Sequence, residues 1–177
     1  MMNKLTRRRI LFSSAGMAGI TVTSLAKRTQ ATQIMDETAD RIAIIETANK
    51  IGIMSDRRNW AAVRDCFTEK VEFDYTSLNG GKPATIAAAT QVEQWADFFA
   101  STFKNTQHLI GSHAVTLNGN TAQASAHFQA HHTYLDTIKT AWLLAGTYDY
   151  QLIRLANGWK VQKMKMTALW ETGDRPS

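Results

Sequence analysis

The chain has 177 residues, of which 44% are hydrophobic and 20% are charged, as expected for one folded domain with a sizeable core. Its formal net charge of +5 arises mostly in the first 26 residues, which hold four basic residues and no acidic one. The rest carries 16 basic and 15 acidic residues, a balance that gives no support for nucleic-acid binding. The single cysteine, Cys66, excludes a disulfide within the chain and is predicted to be a small buried residue.

The N-terminal segment, residues 1–31, is predicted to be an export signal with a short leader rather than part of the fold. Arg7 and Arg8 begin a run typical of twin-arginine signals, and the apolar stretch after them is weakened by glycine, serine and threonine. A membrane anchor is the alternative, although the stretch is shorter than the roughly 20 residues that a span needs. We therefore expect residues 32–177 to form a single domain, periplasmic or secreted, with no stable membrane span after signal removal.

The first half of the domain is predicted to be mainly helical. Residues 36–54 carry apolar side chains at helical spacing, and residues 59–67 and 90–103 show the same spacing in shorter segments. Between them, residues 71–75 alternate apolar and polar side chains, which predicts a half-buried strand. Residues 79–83 contain two glycines and a proline and predict a turn.

The second half is predicted to be strand. Short turn-forming segments separate four runs of alternating residues, at 107–117, 121–135, 141–155 and 159–170. Adjacent strands joined by short turns should form an antiparallel meander, and helices followed by strands indicate the α+β class. We expect the antiparallel sheet to curve around the N-terminal helices as a cone-shaped α+β barrel with an interior pocket.

One carboxylate and several histidines are candidates for chemistry. Asp56 closes the first helical region and His108 opens a strand, and a histidine with a carboxylate partner commonly moves protons at neutral pH. Each could instead be an ordinary residue, a surface acid at a helix end and a hydrogen-bonded strand histidine. His127, His131 and His132 alternate between the two faces of one strand, so they cannot converge on one metal ion, and no metal site is predicted.

Several short motifs occur in a characteristic order. They are DRRNW at 56–60, FTEKVEFD at 67–74, QHL at 107–109, NGNTA at 118–122, GTY at 146–148, and Arg154 followed by GWKV at 158–161. In this order they resemble the SnoaL-like branch of the nuclear transport factor 2-like superfamily, over about residues 36–172. Within that branch the chain is most similar to scytalone dehydratase and its bacterial relatives, which include bile-acid dehydratases and a hexachlorocyclohexane dehydrochlorinase.

The resemblance implies roles for five residues. Asp56 falls where these enzymes carry the carboxylate that orients the catalytic histidine, and His108 falls where they carry that histidine. Tyr75 matches a tyrosine that helps to hold a water on the substrate carbonyl, and His131 matches a second pocket histidine. Arg154 matches an arginine of the dehydrochlorinase site, and all three are predicted to bind substrate.

Position along the strands adds two candidate binding residues and gives Arg154 an alternative interpretation. Tyr148 and Trp170 lie on strand faces that are expected to form either pocket wall or ordinary core. Arg154 shares the face of Tyr148, where it would need an acid or an anionic ligand, unless it is a salt-bridged residue at the sheet edge. Ser55 stands where the scytalone enzyme has a tyrosine, and Ile51 stands where the bile-acid enzymes have a tyrosine and the dehydrochlorinase a lysine. The resemblance therefore extends to the proton-transfer pair but not to substrate recognition.

These observations predict a dehydratase-like lyase, or an isomerase, that needs no cofactor and acts on a hydrophobic cyclic compound. The alternative is a non-catalytic module that binds an apolar small molecule, because a fold can persist after its chemistry is lost. A third interpretation is a structural oligomer, since sheets of this kind often pair. The expected partners are thus a small hydrophobic molecule and a second copy of the chain, but not nucleic acid.

Overall fold

The computed structural model describes residues 18–176, with the backbone alone for residues 18–28 and for Ala31. The predicted twin-arginine motif lies outside these residues. Contacts separate residues 18–38 from a larger unit that begins at Ala39. In the described part of the chain, no helix is both long enough and apolar enough to cross a membrane.

Four helices occur among the described residues: α1 Ala18–Asp56, α2 Trp60–Arg64, α3 Thr76–Asn79 and α4 Ala88–Thr102. Helix α1 ends just before Arg58, which has a φ of 58°. This left-handed backbone conformation is incompatible with continuing a right-handed helix. Asn59 then caps α2, because its side-chain oxygen accepts a hydrogen bond from the Ala62 amide at 3.2 Å. Helix α1 begins well before the predicted residue 36.

Within residues 18–176, six strands form one sheet: β1 Phe67–Asp74, β2 Ala84–Ala87, β3 Phe103–Asn118, β4 Thr121–Tyr134, β5 Trp142–Leu155 and β6 Gly158–Thr172. The strand order is β2-β1-β6-β5-β4-β3. The predicted antiparallel meander of β3 to β6 and the α+β class are confirmed. The edge strands β2 and β3 do not pair, so the sheet curves without closing.

Two details of the sheet differ from the expectation. Strand β1 pairs antiparallel with β2 but parallel with β6, so the sheet is mixed rather than wholly antiparallel. Phe67, predicted to end a helix, starts β1, and the short strand β2 was not predicted at all. Both differences concern long-range pairing, which local periodicity does not report.

The core lies on the face of the sheet that carries the even-numbered side chains of β4 and β5. On β4 this face holds Ala122, Ala124, Phe128 and Ala130, each at most 5% exposed. Helix α1 packs on the same face, with Gly52 against β3. Cys66 is buried as predicted, and burial raises the pKa of its thiol to about 11, so it carries no reactive thiolate at neutral pH.

Candidate functional site

The larger unit contains a cavity of about 650 Å³ between the sheet and helices α1, α3 and α4. This volume lies within the range of small-molecule sites in proteins. Its deeper walls are aromatic and apolar: Phe73, Trp95, Phe99, Phe128, Leu144, Met164 and Met166. The predicted interior pocket is thus present in the structure.

His108 lines this cavity, and Asp56 contacts its imidazole from behind the cavity wall. The Nδ1 atom of His108 lies 2.7 Å from Oδ1 of Asp56, and the backbone amide of His108 donates to Oδ2, also at 2.7 Å. The carboxylate can only accept, so Nδ1 carries the proton and Nε2 is left as the basic nitrogen. The Asp56 side chain is 17% exposed and the His108 side chain is 11% exposed. The structure therefore brings two residues that are 52 positions apart in the chain to hydrogen-bonding distance.

Thr106 also binds the carboxylate, and Arg58 in turn binds Thr106. The Thr106 hydroxyl donates to Oδ1 of Asp56 at 2.8 Å and accepts from Nη1 of Arg58 at 2.9 Å. The Arg58 guanidinium also donates to the Ser55 carbonyl at 3.0 Å and lies 4.9 Å from the centroid of the Phe99 ring. The left-handed turn at Arg58 brings its side chain back toward the end of α1.

Opposing influences act on the Asp56 carboxyl. Burial raises its pKa, whereas the hydrogen bonds from His108 and Thr106 and the charge of His108 lower it. The lowering influences prevail, so the pKa of Asp56 lies below its ordinary value and the group is ionised at neutral pH. An ionised carboxylate can both fix the imidazole tautomer and stabilise the imidazolium that forms when His108 takes up a proton.

His132 is a second histidine of the cavity wall. Its ring centroid lies 5.7 Å from that of His108, and its Nδ1 lies 3.2 Å from the Trp142 carbonyl oxygen, to which it donates. Burial, with the neighbouring His108 charge, lowers the pKa of His132 to about 4. His132 is therefore neutral at pH 7 and presents an uncharged ring between Phe103 and Trp142.

Tyr75, predicted to bind substrate, also lines the cavity, as does Tyr148, which was predicted to be either pocket wall or core. Burial raises the pKa of both phenols, so each keeps its proton and remains a hydrogen-bond donor at neutral pH. The Tyr75 hydroxyl lies 3.9 Å from the sulfur of Met164, a weak acceptor that a polar ligand atom would readily replace.

His131 is not a cavity residue, and its predicted position there is wrong by one residue. Its side chain is exposed on the opposite face of β4, whereas His132 points to the cavity side and is only 4% exposed. Strand alternation separates the two neighbours. The even-numbered residues from Ala122 to Ala130 are all apolar, and this sequence pattern could have assigned His132 to the inner face.

Arg154 likewise lies away from the cavity. Its guanidinium forms an ion pair with Asp40 of α1 and lies 4.7 Å from the ring centroid of Trp159. Arg154 sits one residue from the end of β5, so its partner is an acid at the sheet edge rather than a ligand in the pocket. This agrees with the alternative of a salt-bridged edge residue, and the ion pair lowers the pKa of Asp40.

Trp170 is 47% exposed and is not part of the cavity wall. The reason is a bulge in β6, where Ala168 pairs with Gly146 but Trp170 pairs with Ala145. The extra residue, Leu169, reverses the alternation of side chains beyond it. Met164 and Met166, which precede the bulge, remain on the inner face.

Two further site residues, Thr106 and Arg58, were not selected from the sequence. Thr106 shares the face of His108 because it lies two residues earlier on β3, so strand parity could have indicated it. Arg58 depends on a left-handed backbone conformation at a non-glycine residue, for which the sequence carries no dependable signal.

An α+β fold of this topology, with a His–Asp pair at the wall of an apolar cavity, defines a class of small pocket-bearing domains. The family model of the SnoaL-like domain matches residues 36–165, and the chain belongs to this family, within the nuclear transport factor 2-like superfamily. Comparison with curated proteins found no significant match.

Solved structures support the same fold. Kfla4162 from Kribbella flavida is 27% identical, with a TM-score of 0.73 over 77% of this chain and 95% of its own. A protein from Novosphingobium aromaticivorans, provisionally assigned as a scytalone dehydratase, is 15% identical, with a TM-score of 0.69 over 80% of this chain and 91% of its own. The type 3 hexachlorocyclohexane dehydrochlorinase from Novosphingobium barchaimii is 13% identical, with a TM-score of 0.67 over 81% and 95%.

Proposed function

We propose that this protein is a cofactor-independent lyase of the dehydratase type, or an isomerase, that acts on a hydrophobic cyclic compound. The observation that carries the proposal is the 2.7 Å contact between His108 and an ionised Asp56 at the wall of an apolar cavity. The names of two fold neighbours, a dehydratase and a dehydrochlorinase, denote eliminations.

In the proposed reaction, Nε2 of His108 removes a proton from a carbon next to a carbonyl or beside a leaving group. The electron pair of the broken C–H bond forms a double bond as the leaving group departs, and Asp56 stabilises the resulting imidazolium. In a dehydration the imidazolium returns its proton to the departing hydroxide, so the products are an alkene and water. In an isomerisation the proton is returned to a different carbon.

The neutral phenols of Tyr75 and Tyr148 supply hydrogen-bond donors in the same cavity. A donor to the substrate carbonyl would stabilise the negative charge that develops on its oxygen during proton removal. His132 is neutral and its Nδ1 donates to the Trp142 carbonyl, so its Nε2 can accept a hydrogen bond without adding a charge to the apolar wall.

A binding module for an apolar small molecule is the second candidate. The size of the cavity and its largely aromatic and aliphatic walls favour it, because these features suffice for binding without proton transfer. In that case, the His–Asp pair would only orient a polar group of the ligand.

The test begins with cyclic ketones and hydroxyketones in D2O, with proton NMR to follow both elimination and exchange of the carbon-bound proton. Asp56→Asn and His108→Ala should each lower kcat by roughly 10²- to 10⁴-fold. The double variant should lose little more than either single variant, because the two residues act as a unit. His131→Ala, on the opposite sheet face, is the matched control and should retain parental activity.

Two results would contradict the catalytic proposal. Additive losses in the double variant would show that the residues act separately. Retention of ligand by both single variants, with neither turnover nor exchange in the parent, would leave the binding module as the function.

A further inference from the structure

Positively charged side chains outnumber negatively charged ones along the cavity wall. Lys82 and Arg175 line it, and none of its described lining residues is an aspartate or a glutamate. The Asp56 carboxylate lies behind His108 and is engaged by that imidazole. This asymmetry is local, because the chain beyond residue 17 holds 16 basic and 15 acidic residues. The excess of positive charge at the cavity is therefore not a property of the chain as a whole.

Both cationic residues lie at the rim rather than in the interior. Each is exposed, although each also lines the cavity. Lys82 belongs to the segment between α3 and β2, and Arg175 donates hydrogen bonds to the Leu78 carbonyl and to Oδ1 of Asn79, at the end of α3. The two side chains therefore flank the same edge of the entrance.

Protein groups neutralise only part of this positive charge. Nη1 of Arg175 lies 3.4 Å from Oε1 of Glu171, whose other oxygen accepts from Nε1 of Trp142 at 2.9 Å. Lys82 forms no ion pair within residues 18–176. An exposed ammonium group at the mouth of an apolar cavity would attract a ligand with a negative end.

We propose that the cavity takes amphipathic anions, in which an apolar ring system enters the interior and a carboxylate or similar anionic group stays at the rim with Lys82 and Arg175. This inference rests on the proposed function in that both use one cavity, and it adds the chemical class of the ligand. The ring system would meet the aromatic and methionine side chains of the walls, while the anionic group would keep most of its contact with water.

A pair of fluorescent dyes tests the charge preference directly. 8-Anilinonaphthalene-1-sulfonate and N-phenyl-1-naphthylamine share one ring system, but only the first carries a negative charge. We expect the sulfonate to bind the parent protein about fivefold or more tightly than the neutral dye at low salt, with the difference shrinking as salt is added.

Variants of Lys82 test whether the preference for an anionic ligand arises at the rim of the cavity. Lys82→Gln should weaken sulfonate binding severalfold and Lys82→Glu more strongly, while neither should change the affinity for the neutral dye by more than about twofold. Unchanged neutral-dye binding also reports that the cavity remains folded. Lys104→Gln, an exposed lysine outside the cavity wall, removes the same charge and should leave both affinities unchanged.

The inference is overturned if the parent binds neither dye, if it binds both dyes equally, or if Lys82→Glu leaves sulfonate affinity unchanged. Dye binding requires no proton transfer, so it is independent of the catalytic test. A sulfonate preference in a protein without turnover would leave this inference standing and remove the catalytic proposal. Turnover of neutral compounds without any preference for the sulfonate dye would support the catalytic proposal and overturn this inference.

Discussion

Asp56 accepts three hydrogen bonds, from the His108 imidazole, the His108 amide and the Thr106 hydroxyl. Both carboxylate oxygens are engaged, so the side chain cannot rotate without losing at least one charge-assisted bond. The same contacts that fix the orientation of the imidazole therefore also bind α1 to β3. The proposed reaction and the stability of the fold therefore depend on the same carboxylate, and we expect its protonation to affect both.

A first prediction follows from the lowered pKa of Asp56. Because the folded-state pKa lies below the ordinary 3.8, the ionised carboxylate stabilises the fold above that pH, and the stabilisation is lost as pH falls through the folded-state value. Asp56→Asn should reduce the free energy of unfolding at pH 7 by about 2 kcal/mol. Urea unfolding from pH 7 to pH 2 should show the parent and variant curves converging in acid.

Asp97→Asn is the matched control for this experiment, since Asp97 is exposed on α4 and lies outside the cavity wall. It should stay within about 0.5 kcal/mol of the parent at pH 7. A constant difference between the parent and Asp56→Asn at every pH would mean that the carboxylate charge contributes nothing to folding.

At the scale of secondary structure, the contact between α1 and β3 depends on Gly52. A Cβ atom at this position would lie 2.9 Å from Cδ1 of Ile110 and 3.0 Å from Cβ of His108. Glycine costs roughly 1 kcal/mol relative to alanine inside a helix. The close approach that it permits sets the depth at which the end of α1 presents Asp56 to β3.

We therefore expect Gly52→Ala to lower the free energy of unfolding by about 1–2 kcal/mol, despite the better helix propensity of alanine. Adding Ile110→Val should restore part of the loss, because valine lacks the Cδ1 atom. The remaining contact with His108 should still displace the imidazole, so activity should recover less than stability. Urea unfolding and the deuterium-exchange assay measure the two effects.

Gly111→Ala on β3 serves as the control, since a Cβ atom there would meet nothing within 4 Å. It should cost little stability and no activity. If Gly52→Ala proved as stable as the parent, the helix would have room to shift, and the close packing of α1 on β3 would not determine the site geometry.

At the scale of the whole molecule, we propose that the protein is exported by the twin-arginine route. The proposal rests on the basic residues near the N-terminus and on the near-neutral balance of the remaining chain. Replacing both Arg7 and Arg8 by lysine keeps the charge and should retain the precursor inside the cell, because the route reads the arginine pair itself. Immunoblots of periplasmic and cytoplasmic fractions measure the distribution.

Arg28→Lys makes the same kind of change beyond the apolar stretch and should export normally. N-terminal sequencing of the exported protein would locate the cleavage position, which is expected near Lys27. Undiminished export of the double lysine variant would rule out the twin-arginine assignment.

The sequence by itself was sufficient for the elements of the meander and for the family. Strands β3 to β6 alternate apolar and polar residues between short turns, so each is specified locally and pairs with the next. The parallel pairing of β1 with β6 could not be read in this way, since its partner lies about 90 residues away and no local pattern selects it.

For Trp170 and Arg154, only the tertiary structure decided that the side chain does not face the cavity. The bulge around Leu169 turns Trp170 outward, and an acid on α1 pairs with Arg154 at the sheet edge. Side-chain direction on a strand reverses with every residue, so an error of one position exchanges His131 for His132. The sequence determined which chemical groups were present, but the register of strands and the packing of α1 determined which of them meet, because these depend on contacts between distant parts of the chain.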